Sequence, residues 1–286
     1  MNAARPDAGS TPADAAGGPA PRRRPRRLRP LVPVAQGTRT VLGISFFVLF
    51  FAVWSAVTFG GLVSKTFLAD PLAMLAGGWR LFAEFDFAHD IGMTVWRVVG
   101  GFVIATLLAL PLGVAMGAYK PIEAFFEPFV SFARYLPASA FIPLLILWAG
   151  IGEAQKLALI FIGSFFQLVL MIAVTVGNTR RDLVEAAYTL GSSDTSLVRR
   201  VLIPGAAPEI AEILRMVLGW AWTYVIVAEL IGASSGIGHM ITDSQSLLAT
   251  DQIIFGIIVI GLIGLVSDLL FKRMNRALFP WAALGR

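Results

Sequence analysis

The stretch EAAYTLGSSDTSLVRRVLIPGAAP, residues 185–208, is a polar segment between two apolar segments long enough to cross a membrane. Four small or apolar residues around its start recur at i, i+3, i+4 and i+7, as expected for one narrow face of a helix: Leu183, Ala186, Ala187 and Leu190. Gly191 follows at a position that suits the left-handed conformation in which many helices end. The first half of the stretch therefore predicts a short amphipathic helix that stops at Gly191.

The second half predicts another short helix. Ser192 and Ser193 are candidate N-caps, and Asp194 would lie in the first turn, where a negative charge is favourable. Pro204 has no amide hydrogen and predicts that this helix stops near Ile203. The product is a helix–glycine–helix elbow whose small residues, Ala186 and Ala187, would let the backbone of a partner approach closely. The alternative is an amphipathic helix that lies on lipid headgroups.

Seven positions of the elbow match the spacing E-A-A-x3-G-x9-I-x-L-P: Glu185, Ala186, Ala187, Gly191, Val201, Ile203 and Pro204. This pattern resembles the EAA motif of the permease subunits of bacterial ABC importers. The resemblance implies that residues 182–203 form coupling helices that dock into a groove on a separate ATPase subunit. The residues assigned to this coupling role are Glu185, Ala186, Ala187, Tyr188, Gly191 and Pro204.

Composition excludes most other classes of protein. The chain has 286 residues, of which 57% are hydrophobic and only 14% charged. These fractions indicate a membrane protein that crosses the bilayer several times. Cysteine is absent, and the two histidines, His89 and His239, are too isolated in sequence to indicate a metal site. The sequence has no G-x4-G-K-[ST] loop and no catalytic constellation, so we expect a transport subunit without enzymatic activity or a cofactor of its own.

Apolar segments predict an all-α protein with about six transmembrane helices. The predicted spans are 41–63, 95–118, 138–149, 157–176, 210–231 and 253–271, with an amphipathic segment at 71–85 and a membrane-edge helix at 121–135. Four regions follow: a disordered basic cytoplasmic tail (1–38), a first span with a periplasmic segment (39–93), a permease core (94–278) and a cytoplasmic tail (279–286).

Basic residues predict the orientation. Arginine and lysine concentrate in the N-terminal tail, the elbow and the C-terminal tail, whereas the opposite loops contain Lys65, Arg80 and Lys156 beside several carboxylates. The positive-inside rule therefore places both termini and the elbow in the cytoplasm, where ATP is present. The run of arginines at 22–29 is interpreted as an orienting anchor rather than a nucleic-acid site.

Five charged residues lie within predicted spans, where an unpaired charge is costly. We expect an Arg97–Glu229 pair toward the outer side and an Arg215–Asp268 pair toward the inner side, with Glu212 competing for Arg215. The alternative is that each side chain extends singly to the headgroups.

Further polar residues leave two interpretations open. Gln167, Thr223 and Tyr224 are candidates for lining a translocation path, or for hydrogen bonds between helices. The glycine-rich loop GASSGIGH at 232–239 would form either an anion-attracting nest of amides or a re-entrant turn.

The resemblance extends over residues 94–278 and implies the type I, MetI-like permease fold. Stretches 137–152, 228–231 and 248–251 resemble the branch of these permeases that imports nitrate, sulfonates, taurine or bicarbonate. Membership implies a bacterial inner-membrane protein that pairs with a second copy of itself, two cytoplasmic ATPase subunits that bind ATP and Mg, and a periplasmic substrate-binding protein. The alternatives are an importer for amino acids or metal chelates, a secondary transporter and a membrane-bound enzyme.

Overall fold

The computed structural model describes residues 34–281, which are helical with short connections and contain no strand. The long helices are α1 (Gln36–Phe59), α3 (Phe87–Ala118), α6 (Glu153–Gly177), α9 (Ile203–Glu229) and α11 (Thr250–Leu278). The shorter helices are α2 (Pro71–Glu84), α4 (Lys120–Ala133), α5 (Ile142–Ala149), α7 (Arg181–Thr189), α8 (Asp194–Leu197) and α10 (Ile237–Ser246). A 3₁₀ turn, Ala138–Phe141, precedes α5, and a π-helical turn, Val198–Leu202, joins α8 to α9.

Five helices in the described part of the chain are long and apolar enough to cross a membrane, and α4 with α5 makes six if they form one broken span. The all-α expectation is confirmed, and most of the long helices begin before the apolar spans that the sequence predicts. Helix α3 begins at Phe87, eight residues before the predicted 95, and α9 begins at Ile203 rather than 210. Hydropathy detects only the part of a helix that lies in hydrocarbon, whereas the hydrogen-bonded helix continues into the polar regions on both sides.

The predicted third span, 138–149, is not one helix. It consists of the 3₁₀ turn and the eight-residue α5. A helix of that length extends only about 12 Å, well short of a bilayer. Helices α4 and α5 are bent by 85° across the break that contains Pro137. Only the two together are long enough to cross a bilayer, and the break places non-helical backbone between them.

The chain divides into two compact units, residues 1–50 and 51–286, and the boundary falls within α1. In the first unit, the described part of α1 exposes large apolar side chains such as Phe46 and Phe47, as a lipid-facing helix does. Of the predicted basic tail, residues 1–33 lie outside the described residues, and helix α1 already begins at Gln36. Residues 282–286 of the predicted C-terminal tail also lie outside them.

The core of the second unit is formed by α3, α6 and α9. Glycines allow α3 to lie against α6: a Cβ at Gly101 or Gly113 would come within 2.8 Å of Ile160 or Ile172, respectively. Small residues at a helix interface let backbones approach closely, which is the common way in which helices associate within membranes. This core holds α6 and α9 side by side, so the segment that joins them, α7 and α8, lies at one end of the bundle. We call the end that carries α7 and α8 the coupling end. The opposite end, where α3 and α6 begin and α9 ends, is called the network end.

Candidate functional site

The first helix of the elbow, α7, ends as the sequence predicts. Gly191 has φ +83°, and its amide and that of Ser192 donate to the carbonyls of Tyr188 and Ala187 at 2.9 and 3.0 Å. This double hydrogen bond is a complete Schellman motif, and it holds the turn after α7 rigidly. The Tyr188 hydroxyl also donates to Asp194 Oδ1 at 2.9 Å, which ties α7 to the start of α8 and raises the pKa of Tyr188.

The start of α7 carries an ion pair at its exposed surface. Arg180 contacts both carboxylate oxygens of Asp182, with Nε 3.1 Å from Oδ1, and the Leu183 amide donates to the same oxygen at 3.0 Å. The Arg180 hydrogen bond is the main reason why the pKa of Asp182 is lowered. Asp182 is therefore ionised at neutral pH, in the first helical turn where a negative charge is favourable.

Most of the predicted apolar face of α7 is exposed, with one exception that corrects the sequence analysis. Leu183 is 44% exposed, Tyr188 50% and Leu190 86%, and Glu185 and Ala186 are exposed as well. Ala187 instead is only 8% exposed and packs into the core of its own chain. Of the two alanines, only Ala186 is therefore available to a partner.

The second helix of the elbow does not stop near Ile203, so that prediction was wrong. Ser193 has the extended backbone of an N-cap but no capping side-chain hydrogen bond, and α8 continues through the π-helical turn into α9. Pro204 lies in the first turn of α9. Just before it, the Ile203 amide donates to the Val198 carbonyl, five residues back rather than the usual four. The helical hydrogen bonds are therefore already displaced by one residue before Pro204, which has no amide hydrogen to donate. The second half of the elbow is thus a continuous helical extension of α9.

The network end contains a buried charge cluster around Arg97, whose side chain is fully buried. The predicted pair is present: Arg97 Nη1 lies 2.7 Å from Glu229 Oε1, and neither side chain is exposed. A second carboxylate, Glu153 at the start of α6, was not predicted; its oxygens lie 2.7 and 2.6 Å from Arg97 Nε and Nη2. Arg97 therefore joins three helices, α3, α6 and α9, through two carboxylates.

The glycine-rich loop 232–239 completes this cluster. The amides of Gly236, Ile237 and Gly238 donate to Asp90 Oδ1, Thr94 Oγ1 and Glu229 Oε2 at 2.6, 2.9 and 2.9 Å. The loop is thus a nest of amides, but carboxylates and a hydroxyl of the same chain occupy it. A Cβ at Gly236 would lie 2.5 Å from the Glu229 carboxyl carbon, so only glycine permits this approach.

Lys156 also belongs to this end of the bundle, where it lies in helix α6 rather than in the loop to which the sequence analysis assigned it. Its side chain is 3% exposed, and its Nζ lies 3.5 Å from Glu153 Oε1. Helix α6 begins at Glu153, four residues before the apolar run at 157. Hydropathy alone does not show whether a lysine just before such a run lies in a loop or in the first turn of the helix.

The second predicted charge pair is also present, nearer the coupling end. Arg215 contacts Asp268, and its Nε lies 2.9 Å from Glu212 Oε2, so both predicted partners bind it together. Lys272 adds a contact of 2.7 Å to Asp268. This half-exposed cluster connects α9 to α11.

The three candidate path residues come together in one pocket. Gln167, Thr223 and Tyr224 line a cavity of about 340 Å³ between α6, α9 and the break between α4 and α5. The break adds Arg134, Tyr135 and Ser139 to the lining, none of which the sequence analysis assigned to the path. The signal that could have identified them is Pro137, since a proline within an apolar segment marks a helix break near polar residues.

The family model for the binding-protein-dependent transport system inner membrane component matches residues 109–283. The taurine transport system permease protein TauC of Escherichia coli is 31% identical over 261 residues, covering 90% of this chain and 94% of the relative. This chain belongs to the family of inner membrane components of binding-protein-dependent transport systems.

Other relatives agree with this assignment, and a solved structure has the same fold. The putative aliphatic sulfonates transport permease protein SsuC of Bacillus subtilis is 30% identical, covering 80% of this chain and 83% of the relative. The nitrate import permease protein NrtB of Synechococcus elongatus is 24% identical, covering 81% and 87%. A crystal structure of the MetNI methionine ABC transporter, in an inward-facing conformation, aligns with a TM-score of 0.61 at 18% identity, covering 67% of this chain and 95% of that one. The chain has the fold of a type I ABC permease and is a transport subunit of the membrane rather than an enzyme.

Proposed function

We propose that this chain is the permease subunit of an ATP-driven importer that carries a small anion, with an organic sulfonate as the first candidate. The two relatives at 30% identity or more described above are named for taurine and aliphatic sulfonates, and the one named for nitrate is more distant. All three names describe transport of a small anionic or zwitterionic compound, which supports this class over amino acids in general or metal chelates.

The observation that carries the coupling role is the exposed face of α7 on a rigid support. Leu183, Tyr188 and Leu190 are exposed on a helix that is capped by a Schellman motif and anchored by the buried Ala187. The following turn is anchored in the same core by Leu197 and Leu202. A short exposed helix held in this way suits docking into a groove on an ATPase, because a movement of α7 is then passed through α8 to α9.

The assembly proposed here follows from a single elbow per chain. Two copies of this chain would present two elbows to two cytoplasmic ATPase subunits, which bind ATP and Mg, and a periplasmic binding protein would deliver the anion at the network end. Both termini and the elbow would face the cytoplasm of a bacterium, with the chain in its inner membrane. The arginines on the elbow, including the exposed Arg199 and Arg200, support this orientation.

The first experiment is to purify the complex that forms on this chain, reconstitute it in vesicles with its binding protein, and measure ATP hydrolysis. Taurine, an alkanesulfonate, nitrate and bicarbonate would be compared. We expect stimulation by a sulfonate. An ATPase that co-purifies but responds to none of the four would refute the anion class, and the absence of any ATPase would refute the coupling role.

A variant pair tests the docking surface itself. Leu190→Asp places a charge at the most exposed apolar position of the elbow, whereas Leu62→Asp does the same at a 78% exposed leucine far from it in sequence. We expect Leu190→Asp to lose the co-purifying ATPase while Leu62→Asp retains it. Equal recovery of ATPase with both variants would contradict the proposal.

A further inference from the structure

Arg134 occupies an unusual place in the fold. It follows the last residue of α4 and lies at the start of the 85° break that separates α4 from α5. Helix α4 begins directly after α3 ends, and only a short loop separates the end of α5 from the start of α6 at the network end. Because Arg134 lines the same cavity as Gln167, which lies in the middle of α6, it lies at an intermediate depth of the bundle rather than at either end.

Arg134 has none of the ionic partners that Arg97 and Arg215 possess. Arg97 and Arg215 each contact two carboxylates, whereas no salt bridge among residues 34–281 includes Arg134. Its contacts are with the adjacent Tyr135: Nη2 donates to the hydroxyl at 2.7 Å, and the guanidinium lies 4.6 Å from the ring centroid. A cation at membrane depth is costly unless it meets a counter-charge or water, so an exposed, unpaired guanidinium here indicates a hydrated path and an anion that comes from outside the chain.

The cavity beside Arg134 has the chemistry of an anion site. None of the described residues that line it is acidic, and its polar side chains are those of Arg134, Tyr135, Ser139, Gln167, Trp220, Thr223 and Tyr224. Hydroxyl and amide groups donate hydrogen bonds as readily as they accept them. Its volume of about 340 Å³ is roughly ten times the share of one water molecule in the liquid, which is enough for a small hydrated anion.

We propose that Arg134 is the anion-binding residue of the translocation path, and that Gln167, Thr223 and Tyr224 donate hydrogen bonds to the same ion. A planar guanidinium pairs with two oxygens of an oxyanion at once, which suits a sulfonate, nitrate or bicarbonate. In the absence of the anion, Tyr135 holds the guanidinium by its hydroxyl and ring. This inference rests on the proposed function and adds to it a site within the membrane, separate from any selectivity of the binding protein.

The test uses the full complex in vesicles with its binding protein, and taurine as the probe. Arg134→Gln removes the charge, Arg134→Lys keeps it without the planar fork, and Arg273→Gln removes an exposed arginine near the end of α11 as a control. We expect Arg134→Gln to lower taurine uptake roughly tenfold or more, as loss of a charged hydrogen bond does, and Arg134→Lys to lower it less. Recovery of the co-purified ATPase should stay unchanged in all three variants, because none of the substitutions lies on α7 or α8.

The outcomes distinguish the two proposals. If the wild-type complex does not take up taurine or any of the three other anions, the proposed function fails. If the wild type transports and Arg134→Gln transports equally well, only the inference about Arg134 is overturned. Should Arg134→Gln fail to assemble, Thr223→Val, which keeps the shape of the side chain and removes its hydroxyl, decides the matter: a rise in the taurine concentration needed for half-maximal uptake supports the site, and no change overturns it.

Discussion

Arg97 and Glu229 are 132 positions apart in the sequence, yet their side chains lie 2.7 Å from each other in the fully buried interior of the network end. Around them, Glu153, Thr94 and the amides of the glycine-rich loop satisfy the remaining hydrogen-bonding groups. Burying a charge pair gains little when a hydrophobic pair would also fit, but removing one partner leaves an uncompensated charge and costs much more. The cluster therefore fixes how α3, α6 and α9 meet at this end.

Glu229→Ala should lower the free energy of unfolding by about 3–5 kcal/mol, because Arg97 loses a fully buried partner and two backbone or hydroxyl donors lose their acceptor. Glu229→Gln should cost less, since it keeps an acceptor for the same donors. The measurement is thermal unfolding of the purified protein in detergent. Glu84, near the end of α2, is an exposed carboxylate and serves as the control. Glu84→Ala should change stability by no more than about 0.5 kcal/mol. Equal effects at both positions would show that the cluster is not structural.

Gly236→Ala should destabilise the loop by about 1–3 kcal/mol, because a side chain is strained in the left-handed region. Gly236 has φ +109°, and the new methyl group would meet the Glu229 carboxyl carbon at 2.5 Å. Hydrogen exchange of the Ile237 and Gly238 amides measures the effect locally, and their protection should fall. Gly219→Ala is the matched control: it lies within α9 with nothing within 4 Å of the added atom, so stability should stay constant or rise. Unchanged protection in Gly236→Ala would contradict the tight approach of loop and carboxylate.

Gly191→Pro should uncouple ATP hydrolysis from transport. Proline restricts φ to about −65°. Gly191 instead has φ +83° in the Schellman motif that stiffens the elbow. The measurement is the number of ATP molecules hydrolysed per anion taken up, which should rise. Gly191→Asn is the control, because asparagine tolerates the left-handed conformation, and it should keep a ratio close to that of the wild type. A normal ratio in Gly191→Pro would exclude the elbow as a rigid lever.

Gly163→Ala should narrow the cavity beside Arg134. Its added methyl group would lie 2.6 Å from the Tyr224 ring, so this ring must move toward the cavity or α6 must shift away from α9. We expect slower anion uptake, whereas the same substitution at Gly261 on α11, where nothing lies within 4 Å, should leave uptake unchanged. Identical uptake by the two variants would indicate that Tyr224 does not border the path.

Several parts of the site were accessible from local sequence, and others were not. The left-handed Gly191 and the two charge pairs were predicted correctly. Glycine is the residue most often found in the left-handed conformation at a helix end, and a charge in hydrocarbon is costly unless it finds a partner. The continuation of α8 through Pro204 was missed, since proline ends a helix in most contexts and only the π-helical turn before it shows that the helix continues. The role of Glu153 was missed because a carboxylate just before an apolar run resembles an ordinary loop residue.

The sequence by itself determined the class of the protein through the resemblance of the elbow to the EAA motif, and its apolar segments determined the approximate number of spans. Only the tertiary structure decided which alanine of the elbow is free for a partner, how Glu153 completes the Arg97 cluster, and that Arg134 shares a cavity with Gln167 and Tyr224. The physical reason is that these features depend on side chains that are far apart in the sequence and meet only across helices. The periodicity of one segment does not specify the rotation and depth at which two helices pack.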